Sequence, residues 1–200
     1  VHRARAEAPW TEYPRPLLER SHWRSLNGAW QYAITPRSQR HAPTWEGTHT
    51  GTIRVPFAIE AALSGVQRML DPDEALWYRR RVAIPADLTA RRIFVNFEAC
   101  DYACNVSLDG VPVGHHVGGN TPFRVEITSA VLMRGDTTHT LEVRVEDATS
   151  GTQLRGKQSL LPGGIWYTRV SGIWQSVWFE MLPATHFEDL VVTTSPRAPS

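Results

Sequence analysis

The chain has 200 residues, 42% of them hydrophobic and 20% charged, which is ordinary usage for a globular protein and excludes a wholly disordered chain. With 21 lysines and arginines against 20 aspartates and glutamates, the formal net charge of +1 gives no field that would gather nucleic acid or anionic lipid. No apolar run approaches the roughly 20 residues of a membrane span. We therefore expect one soluble domain with neither a nucleic-acid nor a membrane partner.

The first ten residues carry arginines and a glutamate and contain no apolar run of signal-peptide length. This favours a cytoplasmic location over secretion. Because the first residue is Val rather than Met, a signal peptide that precedes residue 1 stays open.

Short segments of alternating apolar and polar residues predict a mostly β chain. Residues 93–97 and 104–108 predict two paired strands, the second followed by a hairpin turn at Asp109-Gly110. Residues 141–146 alternate so regularly that one face is expected to be buried and the other wet. Residues 173–180 predict a further strand rich in aromatic side chains.

Helices are predicted only as short turns, around residues 16–26 and 127–132, because Pro and Gly interrupt longer patterns. The two cysteines, Cys100 and Cys104, match neither a CxxC redox pair nor a zinc knuckle. We expect them to be free buried thiols, although a corner between strands would let them pair.

Motifs for nucleophilic catalysis, metal binding and phosphate binding are absent from the sequence. His115 and His116 are adjacent, and in a strand their rings would face opposite ways, which is unfavourable for binding one metal. The pairs Gly118-Gly119 and Gly163-Gly164 predict turns. We therefore predict no metal, no cofactor and no catalytic residue in this chain.

Asp147 is the carboxylate that stands out. It ends the regular strand 141–145 and opens a polar loop over residues 148–158, the position where β-sandwiches place sites. Such an acid can accept hydrogen bonds from adjacent sugar hydroxyls, while Arg155 and Lys157 could pair with it or face an acidic group of the substrate. The alternative is an aspartate that only caps a turn. Other acids such as Glu60, Glu98 and Glu126 are expected to be solvated surface groups.

Six segments in a fixed order resemble the N-terminal domain of the glycosidases of glycoside hydrolase family 2, which include β-galactosidases, β-glucuronidases and β-mannosidases. They are Leu-Asn-Gly-Ala-Trp-Gln-Tyr at 26–32, Val-Pro-Phe-Ala-Ile-Glu at 55–60, Trp-Tyr-Arg-Arg at 77–80, Leu-Asp-Gly-Val-Pro-Val-Gly at 108–114, Gly-Gly-Asn-Thr-Pro-Phe at 118–123 and Ser-Gly-Ile-Trp-Gln-Ser-Val-Trp at 171–178. One departure is Asp109, where the family usually has Asn in an Asn-Gly turn. Asp also tolerates that turn.

The resemblance implies a jelly-roll-like antiparallel β-sandwich of the galactose-binding-domain type, spanning residues 1–185. Residues 186–200 would then be a linker or the start of an immunoglobulin-like domain. A (β/α)₈ barrel would follow, with two glutamates that perform retaining hydrolysis of a β-glycoside. The domain would pack on both of these domains, in an enzyme that could be a homo-oligomer.

The resemblance also implies where the sugar pocket lies. Asp147 is carried over as its acid, and Arg155, Lys157, Trp166 and Tyr167 are expected at its rim. Which sugar is bound stays open, because the deciding residues lie mostly in the barrel. Two other functions remain as alternatives: a stand-alone carbohydrate-binding module with stacking aromatics, and an interaction domain with an apolar patch of Trp166, Tyr167 and Ile173.

Overall fold

The computed structural model describes residues 9–47, 49–85 and 91–194, and short strands dominate this part of the chain. The strands are β1 (Trp23–Ser25), β2 (Gly28–Pro36), β3 (Thr50–Val55), β4 (Glu74–Ala83), β5 (Arg91–Phe97), β6 (Cys100–Asp101), β7 (Ala103–Leu108), β8 (Val111–Val117), β9 (Phe123–Glu126), β10 (Thr138–Glu146), β11 (Gln158–Ser159), β12 (Tyr167–Thr168), β13 (Gly172–Ile173) and β14 (Val177–Pro183). The helical elements are α1 (Thr128–Arg134) and the 3₁₀ turns Pro16–Leu18 and Ala62–Ser64. The predicted all-β class is confirmed.

Two antiparallel sheets form the sandwich. One has the order β1-β14-β5-β9 and the other has the order β3-β2-β4-β10-β7-β8. Their inward side chains form the core, which includes Trp30, Tyr78, Val95, Val143 and Phe179. Two short ladders, β11-β12 and β13-β6, lie apart from these sheets. The architecture is the predicted jelly-roll-like sandwich.

Strand β10 shows the predicted alternation, but the prediction of a wet outer face is wrong. Its outward side chains Glu142, Arg144 and Glu146 are buried. The reason is a covering segment: Arg144 donates hydrogen bonds to the carbonyls of Arg37 and Gln39, and the guanidinium of Arg37 donates to Glu146 at 2.6 Å. The alternation therefore identified the outward side chains correctly, but it wrongly predicted that solvent surrounds them.

The predicted pairing of residues 93–97 with residues 104–108 is also wrong. Strand β5 pairs with β14 and β9, whereas β7 pairs with β10 and β8 in the opposite sheet. The chain crosses between the sheets in the few residues after β5. The predicted hairpin after β7 is confirmed, with Asp109 and Gly110 at φ 51° and 80°, the conformation that a two-residue hairpin turn requires.

The remaining predictions of local structure hold in part. The helical turn near residue 130 is confirmed as α1, but the turn predicted over residues 16–26 is a single 3₁₀ turn followed by strand β1. The strand predicted over residues 173–180 is split, because β13 pairs with β6 whereas β14 pairs with β5. The boundary at residue 185 stays a prediction. Residues 1–8 and 195–200 of the predicted domain and linker lie outside the described part of the chain.

Among the described residues, no helix is long and apolar enough to cross a membrane.

Candidate functional site

Four charged side chains from distant parts of the chain meet at one end of the sandwich. Glu60 follows β3, Asp101 ends β6, Asp147 directly follows β10 and Arg169 precedes β13. We call these four residues the acidic cluster. Polar side chains at strand ends are where a β-sandwich usually carries its site.

Asp147 is buried, with 3% of its surface exposed, and it accepts three hydrogen bonds. Its Oδ1 accepts the backbone N–H of Thr149 at 2.8 Å, and its Oδ2 accepts the hydroxyls of Thr149 at 3.0 Å and Ser171 at 2.8 Å. The carboxylate therefore caps the turn that opens the loop after β10. It also fixes Ser171 from the other side of the site.

Ser171 connects two of the carboxylates and the arginine. Its backbone N–H donates to Glu60 Oε2 at 2.9 Å, and its hydroxyl accepts from Arg169 Nε at 3.3 Å while donating to Asp147. One small residue therefore holds three charged groups in a fixed arrangement. Such networks stabilise a unique geometry when their members are satisfied.

Glu60 and Arg169 form the buried ion pair of the acidic cluster. Arg169 Nε lies 3.6 Å from Glu60 Oε1, and the two side chains are 1% and 6% exposed respectively. Burial raises the pKa of Glu60, and the hydrogen bonds from Ser171 and the charge of Arg169 oppose this rise. The prediction of Glu60 as a solvated surface acid is wrong.

Asp101 carries the largest perturbation in the acidic cluster. Burial raises its pKa to about 6, with the charges of Asp147 and Glu60 adding to the rise and the hydrogen bond from Gln158 opposing it. The Gln158 amide donates to Asp101 Oδ2 at 3.1 Å and accepts the backbone N–H of Val170 at 2.6 Å. Gln158 thus ties the loop after Asp147 to Asp101.

Asp101 also lies inside a covalent loop. Cys100 and Cys104 form a disulfide across the corner between β6 and β7. The expectation of free thiols is therefore wrong. The cause is the corner between β6 and β7, which turns the two buried side chains toward each other.

The predicted rim residues take different positions. Arg155 donates from one nitrogen to the carbonyls of Thr149 and Gln158, at 3.0 and 3.1 Å, so it holds its own loop together. Lys157 is exposed, and its carbonyl accepts the backbone N–H of Tyr167 at 2.9 Å. The structure brings these two residues to the same loop as Asp147 but gives neither a contact with its carboxylate among the described residues.

Trp166 and Tyr167 are 46% and 66% exposed. With Leu161 and Ile165 of the same loop, which are also exposed, they form an apolar surface that we call the rim surface. Ile173, the third member of the predicted patch, is fully buried in the core instead. The predicted patch is therefore wrong at Ile173, and the exposed apolar side chains all come from one loop.

The acidic cluster can accept hydrogen bonds and can position groups, but it lacks the arrangement of a metal site. Within residues 9–47, 49–85 and 91–194, no three His, Cys, Asp or Glu side chains are placed to hold a metal ion. His116 stacks on Phe123 and bonds to the carbonyl of Gly118.

Comparison with known proteins gives both sequence and structural relatives, although no protein-family model matches the chain. The chain is 28% identical to a β-galactosidase of Thermoanaerobacter pseudethanolicus over 116 residues, which cover 57% of this chain and 14% of that protein. A β-D-glucuronidase of Dictyoglomus thermophilum has a similar fold, with a TM-score of 0.63, 19% identity and coverage of 92% of this chain and 32% of that one. A glycosyl hydrolase family 2 member from Bacteroides cellulosilyticus gives a TM-score of 0.60, with 21% identity and coverage of 84% and 22%.

The predicted resemblance to the N-terminal domain of family 2 glycosidases is confirmed. The chain spans only about 14% to 32% of the length of these similar proteins.

Sequence reasoning on this family 2-like domain found Asp147 but missed Asp101, Arg169 and Ser171 as its neighbours. Asp101 and Arg169 are 46 and 22 residues away along the chain, so no spacing signals their meeting. The Ser171 segment was recognised only as part of the resemblance. A buried arginine has no sequence signature when its carboxylate partner comes from another strand end.

Proposed function

We propose that this chain is the N-terminal domain of a retaining β-glycosidase and that the catalytic pair of carboxylates lies outside it. The similarity to glycosidases supports this proposal, together with the small share of their length that the chain spans. Retaining hydrolysis requires two carboxyl groups about 5 Å apart across an accessible sugar. Among the described residues, the three clustered carboxyl groups are buried and tied to protein donors, which suits positioning rather than reaction.

The observation that carries the proposal is the rim surface beside the acidic cluster. Exposed aromatic side chains such as Trp166 and Tyr167 can stack on the apolar face of a sugar, or pack on a neighbouring domain. The loop that bears them is held to the sandwich by Gln158, whose amide joins Asp101 to Val170. In the proposed enzyme, this loop and Lys157 form one wall of the sugar pocket, and the rim surface packs on the following domains.

In this proposal Asp147 has two roles: it positions the loop, and it contacts the sugar. By anchoring Thr149 and Ser171 it fixes both ends of the loop 148–170. Its Oδ1 accepts one hydrogen bond from the described residues, so it can accept another from a glycone hydroxyl. Remote hydroxyl contacts of this kind supply binding energy that is used at the reacting carbon.

The first experiment compares the 200-residue chain with the longest natural reading frame that contains it, against chromogenic β-galactosides, β-glucuronides and β-mannosides. We expect turnover from the long form only, which would also identify the sugar. Turnover by the short form would overturn the assignment of a non-catalytic domain. No turnover by the long form on any of the three would contradict a glycosidase and would favour a free-standing binding module or an interaction domain.

The second experiment tests the loop in the long form. We expect Tyr167→Ala and Lys157→Ala to lower kcat/KM of the long form about tenfold. The melting temperature of the 200-residue chain should not change, because both side chains are exposed there. Leu154→Ala is the matched control, since Leu154 is exposed in the same loop but lies outside the predicted rim. Equal effects from all three variants would exclude a specific pocket wall.

A further inference from the structure

The outer face of the six-stranded sheet carries a second group of polar side chains, away from the acidic cluster. The strand register places Arg144 between Trp77 and Asn105, and it places Glu142 in the next row beside Ser107. Glu142 lies five residues before Asp147 on an extended strand, which is roughly 16 Å along the sheet. The two sites are therefore separate.

These side chains form the floor of a cleft of about 460 Å³, which we call the sheet cleft. One wall is the covering segment at Arg40 and His41, and the other is the β7-β8 hairpin at Gly110 and Pro112. Small-molecule and sugar sites typically enclose about 300–1,000 Å³. The sheet cleft has the size for a few linked sugar units.

The floor is rigid because its arginine is fully engaged. Arg144 donates to the Glu146 carboxylate and to the carbonyls of Arg37 and Gln39, and its guanidinium lies 5.5 Å from the centre of the Trp77 ring. Arg144 therefore supplies a flat surface and holds the wall in place, rather than offering a free cation.

Glu142 is the group that this structure leaves available. It is buried in the sheet face, and no Lys or Arg nitrogen of the described residues lies within 4.0 Å of its carboxylate. Burial raises its pKa, while the charge of Arg79 and a hydrogen bond from Trp45 oppose the rise. Arg79 is its cross-strand neighbour on β4, but the Arg79 guanidinium donates to Gln31 at 2.9 Å and forms no ion pair with Glu142. The Glu142 carboxylate can therefore accept hydrogen bonds from a ligand in the cleft.

The chemistry of the lining selects the class of ligand. The Glu142 carboxylate repels phosphates and other anions. Arg40 on the opposite wall is paired with Glu146 at 2.6 Å, so it is not a free cation that would attract them. Asn105 adds a donor and an acceptor, and Ser107 adds a hydroxyl. Ala42, Trp77 and Pro112 also line the cleft and give it apolar area, against which the C–H face of a sugar can pack. A neutral ligand rich in hydroxyl groups matches all of these features.

We infer that the sheet cleft binds a neutral glycan, with Glu142 and Asn105 contacting its hydroxyls. The inference does not depend on the proposed glycosidase function, since binding here requires no catalytic domain. A polysaccharide bound in the sheet cleft would hold the protein independently of any contact made by the rim surface.

The test is affinity electrophoresis of the 200-residue chain in gels that contain β-1,4-galactan, glucomannan, xylan or, as an anionic probe, polygalacturonan. We expect at least one neutral polysaccharide to retard migration. Glu142→Gln and Asn105→Ala should each weaken the apparent affinity at least tenfold, with melting curves that show intact folding. Asn120→Ala is the matched control, because Asn120 is an exposed Asn outside the cleft.

Three outcomes would overturn the inference. They are retardation by none of the neutral polysaccharides, retardation by polygalacturonan alone, and retardation that Trp166→Ala abolishes while Asn105→Ala leaves it unchanged. The last outcome would assign the binding to the rim surface. Because affinity electrophoresis measures binding and not hydrolysis, failure of the inference stays distinct from failure of the proposed glycosidase function.

Discussion

Arg169 and Glu60 face each other at 3.6 Å inside the protein, and each retains a polar atom without a hydrogen-bond partner among the described residues. These atoms are Arg169 Nη2 and Glu60 Oε1. Because Asp101 and Asp147 lie close by, the positive charge of Arg169 compensates more than one carboxylate. The loops that meet at this end of the sandwich therefore depend on one buried guanidinium.

The first prediction concerns the loss of that charge. Arg169→Met keeps much of the side-chain volume but leaves Glu60 buried without its cation. Breaking a buried pair in this way costs about 3–5 kcal/mol, so we expect the free energy of unfolding at pH 7 to fall by that amount. Urea unfolding followed by tryptophan fluorescence measures it.

The control for this variant is Arg92→Gln, which removes an exposed arginine from its pair with Glu126. We expect little change there, because solvent screens exposed pairs. The deficit of Arg169→Met should shrink at pH 5, where protonation relieves the unpaired Glu60. If Arg169→Met is no less stable than Arg92→Gln, the buried pair does not hold the site together.

The second prediction concerns pH. The pKa of Asp101 is raised from 3.8 to about 6, so the folded protein binds this proton more tightly than the unfolded chain does. Stability from this group is therefore fully present below about pH 3.8 and is lost as pH rises through about 6. The loss is on the order of 3 kcal/mol at pH 7.

Asp101→Asn removes the titrating group while keeping an oxygen for the Gln158 amide. We expect the variant to gain stability relative to the natural protein as pH rises from 4 to 7, with the gain complete above pH 6.5. Thermal melts across this range measure the difference between the two proteins. Asp136→Asn, on an exposed side chain, should show no such trend. A constant difference between pH 4 and 7 would mean that Asp101 is not perturbed.

The third prediction concerns the disulfide. In the loop-entropy description, closing the short loop from Cys100 to Cys104 stabilises the fold by about 2 kcal/mol. We expect a reducing agent to lower the midpoint of urea unfolding accordingly. The double variant Cys100→Ala/Cys104→Ala should be insensitive to the reductant. Titration of two free thiols in the unfolded, unreduced protein would contradict the bond.

The alternation of apolar and polar residues predicted a mostly β chain, whereas the jelly-roll-like sandwich was predicted by the resemblance to family 2 glycosidases. Asp109-Gly110 specifies the hairpin turn locally, and residues 141–146 specify a core face. Neither pattern says which sheet a strand joins. That choice depends on where the chain crosses over, as at β6, and local periodicity carries no information about it.

The site was predictable only at Asp147, whose position after a regular strand is visible in the sequence. Its partners Glu60, Asp101 and Arg169 are buried by contacts between loops that are far apart in the chain. The prediction that the outward charged side chains of β10 are solvated is wrong for the same reason. Their burial depends on the segment that covers them.

The last prediction concerns Gly119, whose absent side chain leaves room for Asp101. A Cβ at this position would overlap the carboxyl group of Asp101, which cannot move freely because Gln158 holds it. Gly119→Ala should therefore displace the carboxylate and lower the free energy of unfolding by about 1–3 kcal/mol, the usual cost of overpacking.

The matched control is Gly163→Ala, because a Cβ at Gly163 meets no atom within 4 Å. We expect that variant to stay within about 0.5 kcal/mol of the natural protein. The deciding measurement combines each glycine substitution with Asp101→Asn in a double variant. If Gly119 acts through the carboxylate, its effect should change when the charge is gone, since residues in contact are not additive, whereas the effect of Gly163 should not. Simple additivity of Gly119→Ala and Asp101→Asn would show that the glycine serves only its own turn.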